Sequence, residues 1–216
     1  DIGMLLLLAA ARRAHEGQAL GRDNKWQGFA MGYNLGVDLM NKRLGVLGMG
    51  RIGRALAHRA AAFGMKIHYH NRNRLTPELE EYAGGAVYFD DADEMLTTCD
   101  FLSIHSPLTP ETTKFLNAER IARMPDGAIV VNTSRGGVVD DDALIAALKS
   151  GKLRAAGLDV YEGEPNIHPE YRNLQNIFML PHVGSGTVET RNAMGFCAAD
   201  NVDAVLTGKP AVTPLN

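Results

Sequence analysis

Three side chains in this sequence have the types and settings needed to place a proton on an oxygen that is gaining negative charge: Arg135, Glu164 and His182. His182 follows an apolar run and Pro181 and precedes a glycine turn at Gly184, which would hold an imidazole in place at the end of a strand. Arg135 lies in the glycine-flanked loop Asn132-Thr133-Ser134-Arg135-Gly136, where its guanidinium can reach a ligand without a bulky neighbour. Glu164, between Gly163 and Pro165, is the carboxylate expected to partner the histidine and to favour its imidazolium form. The competing view is that a histidine is more often structural than catalytic, and this chain has seven. A fourth group concerns anion binding. Leu44 to Leu47 runs into Gly48-Met49-Gly50-Arg51-Ile52-Gly53 and then a helix-period pattern, so that Gly48 makes the turn, Gly50 clears the approach of a diphosphate and Gly53 allows close helix-strand packing. The amides of the first helical turn would face the anion, whose charge the helix dipole favours.

Such groups need a frame, and the chain alternates strand and helix patterns from Leu44 onward. Strands are expected at Leu44, Met65 to His70, Phe101 to His105, Ala128 to Val131, Ala155 to Leu158 and Phe178 to Leu180. Helices are expected up to Gly64 with Ile52, Ala55, Leu56, Ala60 and Phe63 on one face, after Asp91, over Asn117 to Met124, from Asp140 to Gly151, and from Thr187 towards Gly208. The alternation predicts an α/β fold with a doubly wound parallel sheet. Asp1 to about Gly17 reads as a buried helix, and the stretch at 12–36, with Trp26, Phe29 and Tyr33, as an arm that either caps the core or makes a dimer contact. Residues 1–205 are expected to form a dinucleotide-binding domain and 206–216 a tail.

In a doubly wound sheet the ligand lies beyond the carboxyl ends of the strands. The residues that follow the strands are therefore the expected dinucleotide contacts: Gly48, Gly50, Arg51, Ile52 and Gly53; Asn71, Arg72 and Arg74; His105, Ser106 and Pro107; Thr133, Ser134 and Arg135; Asp159; and His182, Gly184 and Ser185. Roughly 20 residues after the glycine motif, an NAD site carries a carboxylate for the ribose 2'-hydroxyl. Asn71 stands there instead, followed by Arg72 and Arg74, which suits the 2'-phosphate of NADP and leaves NAD as the alternative; in an unplaced surface loop the two arginines would merely be solvated.

Composition sets outer bounds. The net charge of -3, from 22 basic and 25 acidic residues, gives no basic footprint for nucleic acid. The apolar run Met4 to Ala11 falls well short of the ~20 residues needed to span a bilayer. Cys99 and Cys197 are too few and too far apart to suggest a metal cluster or a disulfide framework, so no metal and a reducing, cytoplasmic setting are expected.

The glycine motif, His105-Ser106-Pro107-Leu108-Thr109, Asn132 to Asp140, Gly157 to Pro165 and Leu180 to Ser185 together resemble the D-isomer-specific 2-hydroxyacid dehydrogenases, nearest to the glyoxylate/hydroxypyruvate reductases. Formate dehydrogenases are similar in fold but lack the Glu-Pro carboxylate present here as Glu164. The resemblance implies Arg135, Glu164 and His182 as the catalytic trio, Asp159 near the nicotinamide and a small 2-oxo acid as substrate, and the aromatic arm points to a homodimer. It also implies a substrate domain mostly absent from this sequence, with Ala211 to Asn216 returning towards it. A dinucleotide-sensing binding protein on the same fold is the alternative from another class.

Overall fold

The computed structural model describes residues 1–214; Leu215 and Asn216, the end of the expected tail, lie outside the described residues. Seven strands form one sheet: β1 Arg43–Leu47, β2 Lys66–His70, β3 Val87–Tyr88, β4 Phe101–Ile104, β5 Ala128–Asn132, β6 Leu153–Leu158 and β7 Ile177–Met179. Their order is β3-β2-β1-β4-β5-β6-β7 and every pairing is parallel. The helices are α1 Ile2–Ala11, α2 Ala14–Arg22, α3 Arg51–Ala62, α4 Pro77–Tyr82, α5 Ala92–Thr98, α6 Ala118–Arg123, α7 Asp141–Ser150 and α8 Val188–Leu206. The chain divides into two compact units, Asp1–His182 and Val183–Asn216.

Within the first unit, β4 and β5 are buried at every position because helices cover both faces of a parallel sheet. β2 alternates instead, with Ile67 and Tyr69 buried and Lys66 exposed, since only the two-residue β3 lies beyond it. Neither β3 nor α4 is expected from sequence: two residues carry no readable period, and α4 buries none of its side chains. Side-chain caps start several helices as expected: Asp91 accepts from the Asp93 N–H, Asn117 from the Arg120 N–H and Asp140 from the Ala143 N–H.

Two expectations need correction. The N-terminal helix does not continue to Gly17. It ends at Ala11, whose carbonyl is taken by the Val37 N–H, and Arg13 turns left-handed (φ 54°) before α2, which has no buried residue. The buried part is the apolar run, and Gly157 in β6 lets α1 settle onto the sheet, since a Cβ there would be 2.9 Å from the Leu6 Cβ. The buried face of α3 is also rotated from expectation: Gly53, Leu56, Ala57 and Ala60 point inward, whereas Ile52 and Phe63 are exposed. A Cβ at Gly53 would overlap the Gly48 carbonyl, so this glycine makes the closest approach and the stripe three, four and seven residues on follows it inward.

A second glycine records equally close packing. A Cβ on Gly45 in β1 would overlap the sulfur of buried Cys99, whose own Cβ is 3.4 Å away. Gly45→Ala is expected to cost about 1–3 kcal/mol, and Cys99→Ala in the same chain to recover part of that loss. Urea unfolding of the single and double variants reads the coupling; strictly additive costs would refute it.

Candidate active site and dinucleotide cradle

The order of the sheet reverses at β1, which pairs with β2 on one side and β4 on the other. A crevice therefore opens beyond the carboxyl ends of β1 and β4, and the loops that follow the strands converge there. Gly48 turns with φ 94°, and a Cβ on it would be 2.6 Å from the Ser106 nitrogen, so turn and packing both require glycine. Gly50 has open space where its Cβ would be. Together with the start of α3, this gives a bare backbone surface at a helix N-terminus, the setting a diphosphate needs. Ser106 supplies a second sign of fit, because its buried hydroxyl oxygen has no hydrogen-bond partner among the described residues and it lines a cavity of about 490 Å³. Gly48, Asn71, Arg72 and Pro107 line the same cavity. The residues present thus fit a bound dinucleotide. Arg51 and Ile52, both exposed, begin α3 beside it.

The residues after β2 separate into different tasks. Asn71 accepts a hydrogen bond from the Met49 N–H (3.3 Å) and donates to the Asn73 carbonyl (2.9 Å), tying its loop to the glycine turn. Arg74 is held by Glu80, with Nε and Nη2 donating to the two carboxylate oxygens at 2.8 and 3.1 Å. Glu80 also accepts from the Tyr69 hydroxyl. Arg72 has no ion pair within 4 Å among the described residues and is the arginine that lines the cavity.

His105 is tied into the protein through both ring nitrogens. Its Nε2 is 2.9 Å from the Ser103 hydroxyl and its Nδ1 3.4 Å from that of Thr133, so the ring links β4 to the loop after β5. Desolvation pushes this imidazole down to about 4. An unfolded chain takes up a proton at a histidine near pH 6.5 whereas the folded protein does not do so until about pH 4. Between these values the unfolded state binds more protons, and stability falls as pH is lowered, by up to about 3 kcal/mol. His105→Gln is expected to flatten that part of the pH-stability curve; urea midpoints at pH 7 and pH 5 that differ equally in parent and variant would refute it.

Beyond β5, Asn132 organises the loop that carries Arg135. Its buried side chain accepts from the Ser134 N–H and hydroxyl, both at 3.0 Å, and donates to the Arg135 carbonyl at 3.0 Å. Beyond β6, Asp159 is buried and its N–H donates to the Asn132 carbonyl. Tyr161 follows. Its hydroxyl bridges the Leu158 and Leu180 carbonyls (3.1 and 2.9 Å), and its N–H donates to Glu164 Oε1 at 2.7 Å. Burial pushes the Tyr161 phenol far up, so it remains a donor.

The other carboxylate oxygen, Glu164 Oε2, is 2.7 Å from His182 Nδ1. Partial burial alone would raise the Glu164 carboxyl, yet the His182 hydrogen bond, the Tyr161 N–H and the nearby His182 and Arg135 charges hold it below the usual carboxylate range. An ionised Glu164 makes Nδ1 the hydrogen-bearing nitrogen and leaves Nε2 free for a ligand. His182 itself adopts a left-handed backbone (φ 56°) after β7. Arg135 is brought to the same place by contact between loops: Gly136 is pressed so closely onto the Tyr161–Glu162 peptide that a Cβ would overlap it. Arg135, Glu164 and His182, separated by up to 47 residues of sequence from Arg135 to His182, thus share one rim. Gly184 and Ser185 belong to the second unit, in the turn before α8 where Thr187 caps the helix by accepting from the Thr190 N–H.

Asn132, Gly136 and Tyr161 are functional supports that sequence reasoning missed. An asparagine at a strand end is a loop-forming signal for Asn132. For the other two the signal is contact between distant segments, which no local pattern records.

Residues 4–184 match the family model described as D-isomer specific 2-hydroxyacid dehydrogenase, NAD binding domain. A glycerate dehydrogenase of Hyphomicrobium methylovorum is 44% identical over 96% of this chain and 64% of its own length. A glyoxylate/hydroxypyruvate reductase B of Erwinia tasmaniensis is 45% identical over 97% of this chain and 65% of its own. The crystal structure of a glyoxylate reductase from Paecilomyes thermophila superposes with a TM-score of 0.90 at 40% identity, covering 99% of this chain and 63% of that one. The chain thus spans just under two thirds of the length of these curated relatives. With a seven-stranded parallel sheet, a dinucleotide cradle at its switch point and a family match over most of its length, the chain belongs to the D-isomer specific 2-hydroxyacid dehydrogenases.

Proposed function

We propose that the protein reduces a small 2-oxo acid, such as glyoxylate or hydroxypyruvate, to the corresponding 2-hydroxy acid. The observation that carries this is the Glu164–His182 pair, 2.7 Å apart, on the same rim as Arg135. A nicotinamide dinucleotide, when bound, supplies the hydride. His182 donates a proton from Nε2 to the carbonyl oxygen as charge develops there, while Glu164 holds the ring through Nδ1. Arg135 binds the substrate carboxylate and draws electron density towards the carbonyl oxygen. Gly48, Gly50 and Gly53 shape the backbone that receives the diphosphate, with Arg51, Ile52, Ser106, Pro107, Thr133 and Ser134 around it and Asp159 near the nicotinamide. The reductase names of similar proteins agree with this direction of reaction.

The coenzyme reading is NADPH, through Arg72 at the 2'-phosphate. NADH is the second reading, favoured by the pairing of Arg74 with Glu80, which leaves one arginine instead of two for that phosphate. Exposed Trp26, Phe29 and Tyr33 support association of two copies through the arm at 12–36. No helix among the described residues is long and apolar enough to cross a membrane. A cytoplasmic site of action rests on the unpaired Cys99 and Cys197.

The direct test is turnover of the protein with NADPH and NADH against glyoxylate, hydroxypyruvate and pyruvate. Coenzyme oxidation dependent on one of these acids is expected. Tight coenzyme binding without oxidation would replace the enzyme by a dinucleotide-sensing protein.

A further inference from the structure

The cavity beyond β1 and β4 carries a charge opposite Arg72 that has no place in the proposed reaction. Glu111 lines that cavity together with Arg72, from the loop following β4. Its carboxylate is mounted on a stiff turn. The Thr112 hydroxyl donates to the Pro107 carbonyl (2.6 Å) and accepts from the Thr109 N–H (2.8 Å), and the Thr113 hydroxyl donates to the Thr109 carbonyl (2.8 Å). The Thr109 and Thr113 backbones add a further bond of 2.9 Å. Hydrogen bonds from the Thr109 hydroxyl and its own N–H, with the Arg72 charge further off, keep the Glu111 carboxyl below its usual range, so it is an anion at neutral pH. Across the cavity, the second arginine that could offset this charge is bound to Glu80.

We propose that Glu111 is a specificity-determining residue: lining the same dinucleotide cavity as Arg72, it opposes the 2'-phosphate that Arg72 attracts, and so draws the coenzyme preference back towards NADH. This rests on Arg72 meeting the 2'-phosphate. A ligand ending in a 2'-hydroxyl brings no charge and avoids the penalty, whereas a 2'-phosphate gains Arg72 and encounters Glu111 in the same space. The resulting preference is a balance between one cation and one anion, with Arg74 withheld.

Calorimetric titration with adenosine 2',5'-bisphosphate and with 5'-AMP tests this without turnover, in the parent, Glu111→Gln, Glu111→Lys and Arg72→Ala. In Glu111→Gln the affinity ratio of bisphosphate to AMP is expected to rise about two- to five-fold, the size of an exposed charge interaction, and to rise further in Glu111→Lys. The gain should shrink at high salt, and the NADPH to NADH ratio of kcat/KM should move the same way. Equal changes for both ligands, or an unchanged ratio, while Arg72→Ala still lowers it, would overturn the role of Glu111 and leave Arg72 as the phosphate residue. An unchanged ratio in Arg72→Ala would remove the 2'-phosphate reading itself, and the proposal with it.

Discussion

His182→Asn is expected to lower kcat for 2-oxo-acid reduction by about 10³-fold, within the range of a lost general acid, while leaving coenzyme affinity and the unfolding midpoint close to those of the parent. Asparagine is the informative replacement because residue 182 has φ 56°, a left-handed conformation that asparagine adopts more readily than alanine or a β-branched residue. The backbone turn after β7 is thereby retained, and the loss reports the proton rather than a displaced loop. The amide cannot donate a labile proton to an alkoxide, but it can still reach Glu164, whose second oxygen remains on the Tyr161 N–H. A companion variant, Glu164→Gln, keeps that N–H contact and removes only the charge behind the imidazole. Its kcat is expected to fall as well, with coenzyme affinity unchanged, since the ring loses the carboxylate that holds Nδ1 in place. Stopped-flow turnover and fluorescence titration of the coenzyme measure the two sides. Retained turnover in His182→Asn, or coenzyme affinity lost in parallel with turnover, would remove His182 from the acid role.

Gly136→Ala is expected to destabilise the protein by about 3 kcal/mol or more and to lower kcat/KM by about 100-fold in whatever fraction remains folded. The added methyl has nowhere to go. Its ideal position falls within the Tyr161–Glu162 peptide, and backbone on both sides cannot rotate away as a flexible side chain would. Relief requires the loop bearing Arg135 to separate from the loop bearing Glu164. Asn132 anchors the first of these and the Tyr161 hydroxyl the second, so separation also strains four hydrogen bonds around them. The functional loss follows because a guanidinium moved by about 1 Å no longer shares the substrate with the imidazole. Gly137→Ala is the control: its added Cβ would meet only the end of the Leu108 side chain, at 3.3 and 3.4 Å. Urea unfolding and kcat/KM should therefore change little in Gly137→Ala. Similar behaviour of the two variants would show that the loops are not coupled through Gly136.

Much of the machinery could be read along the chain because it depends on short-range constraints. A run of apolar residues that ends in Gly48-x-Gly50-x-x-Gly53 has few ways to fold, since positive φ at Gly48 and a missing side chain at Gly50 are local demands. The helix caps at Asp91, Asn117, Asp140 and Thr187 act across three residues or fewer, and they start helices where their side chains imply. Alternating strand and helix patterns likewise dictate a parallel sheet, which places the residues after each strand on one edge. That is why Arg135 and His182 could be singled out before any contact was known.

The partners of those residues were decided by packing. Arg72 and Arg74 look equivalent in sequence, yet Glu80 takes one and the cavity receives the other, because α4 carries Glu80 back beneath the loop that follows β2. The buried stripe of α3 is set in a related way: apolar character favours Ile52 and Phe63, but the close approach of Gly53 to Gly48 selects another face. The turn after α1 is set by Val37, 26 residues beyond Ala11, and the alignment of Arg135 with Glu164 by a glycine against a peptide 25 residues away. By itself the sequence determined the kind of sheet, the position of its binding edge and the chemical groups set along it, since these follow from backbone conformations and periodicities that each residue expresses with its near neighbours. Only the tertiary structure decided which charges pair, which remain facing the cavity and how the catalytic loops are held in register, because those outcomes depend on close packing between segments that share no local signal.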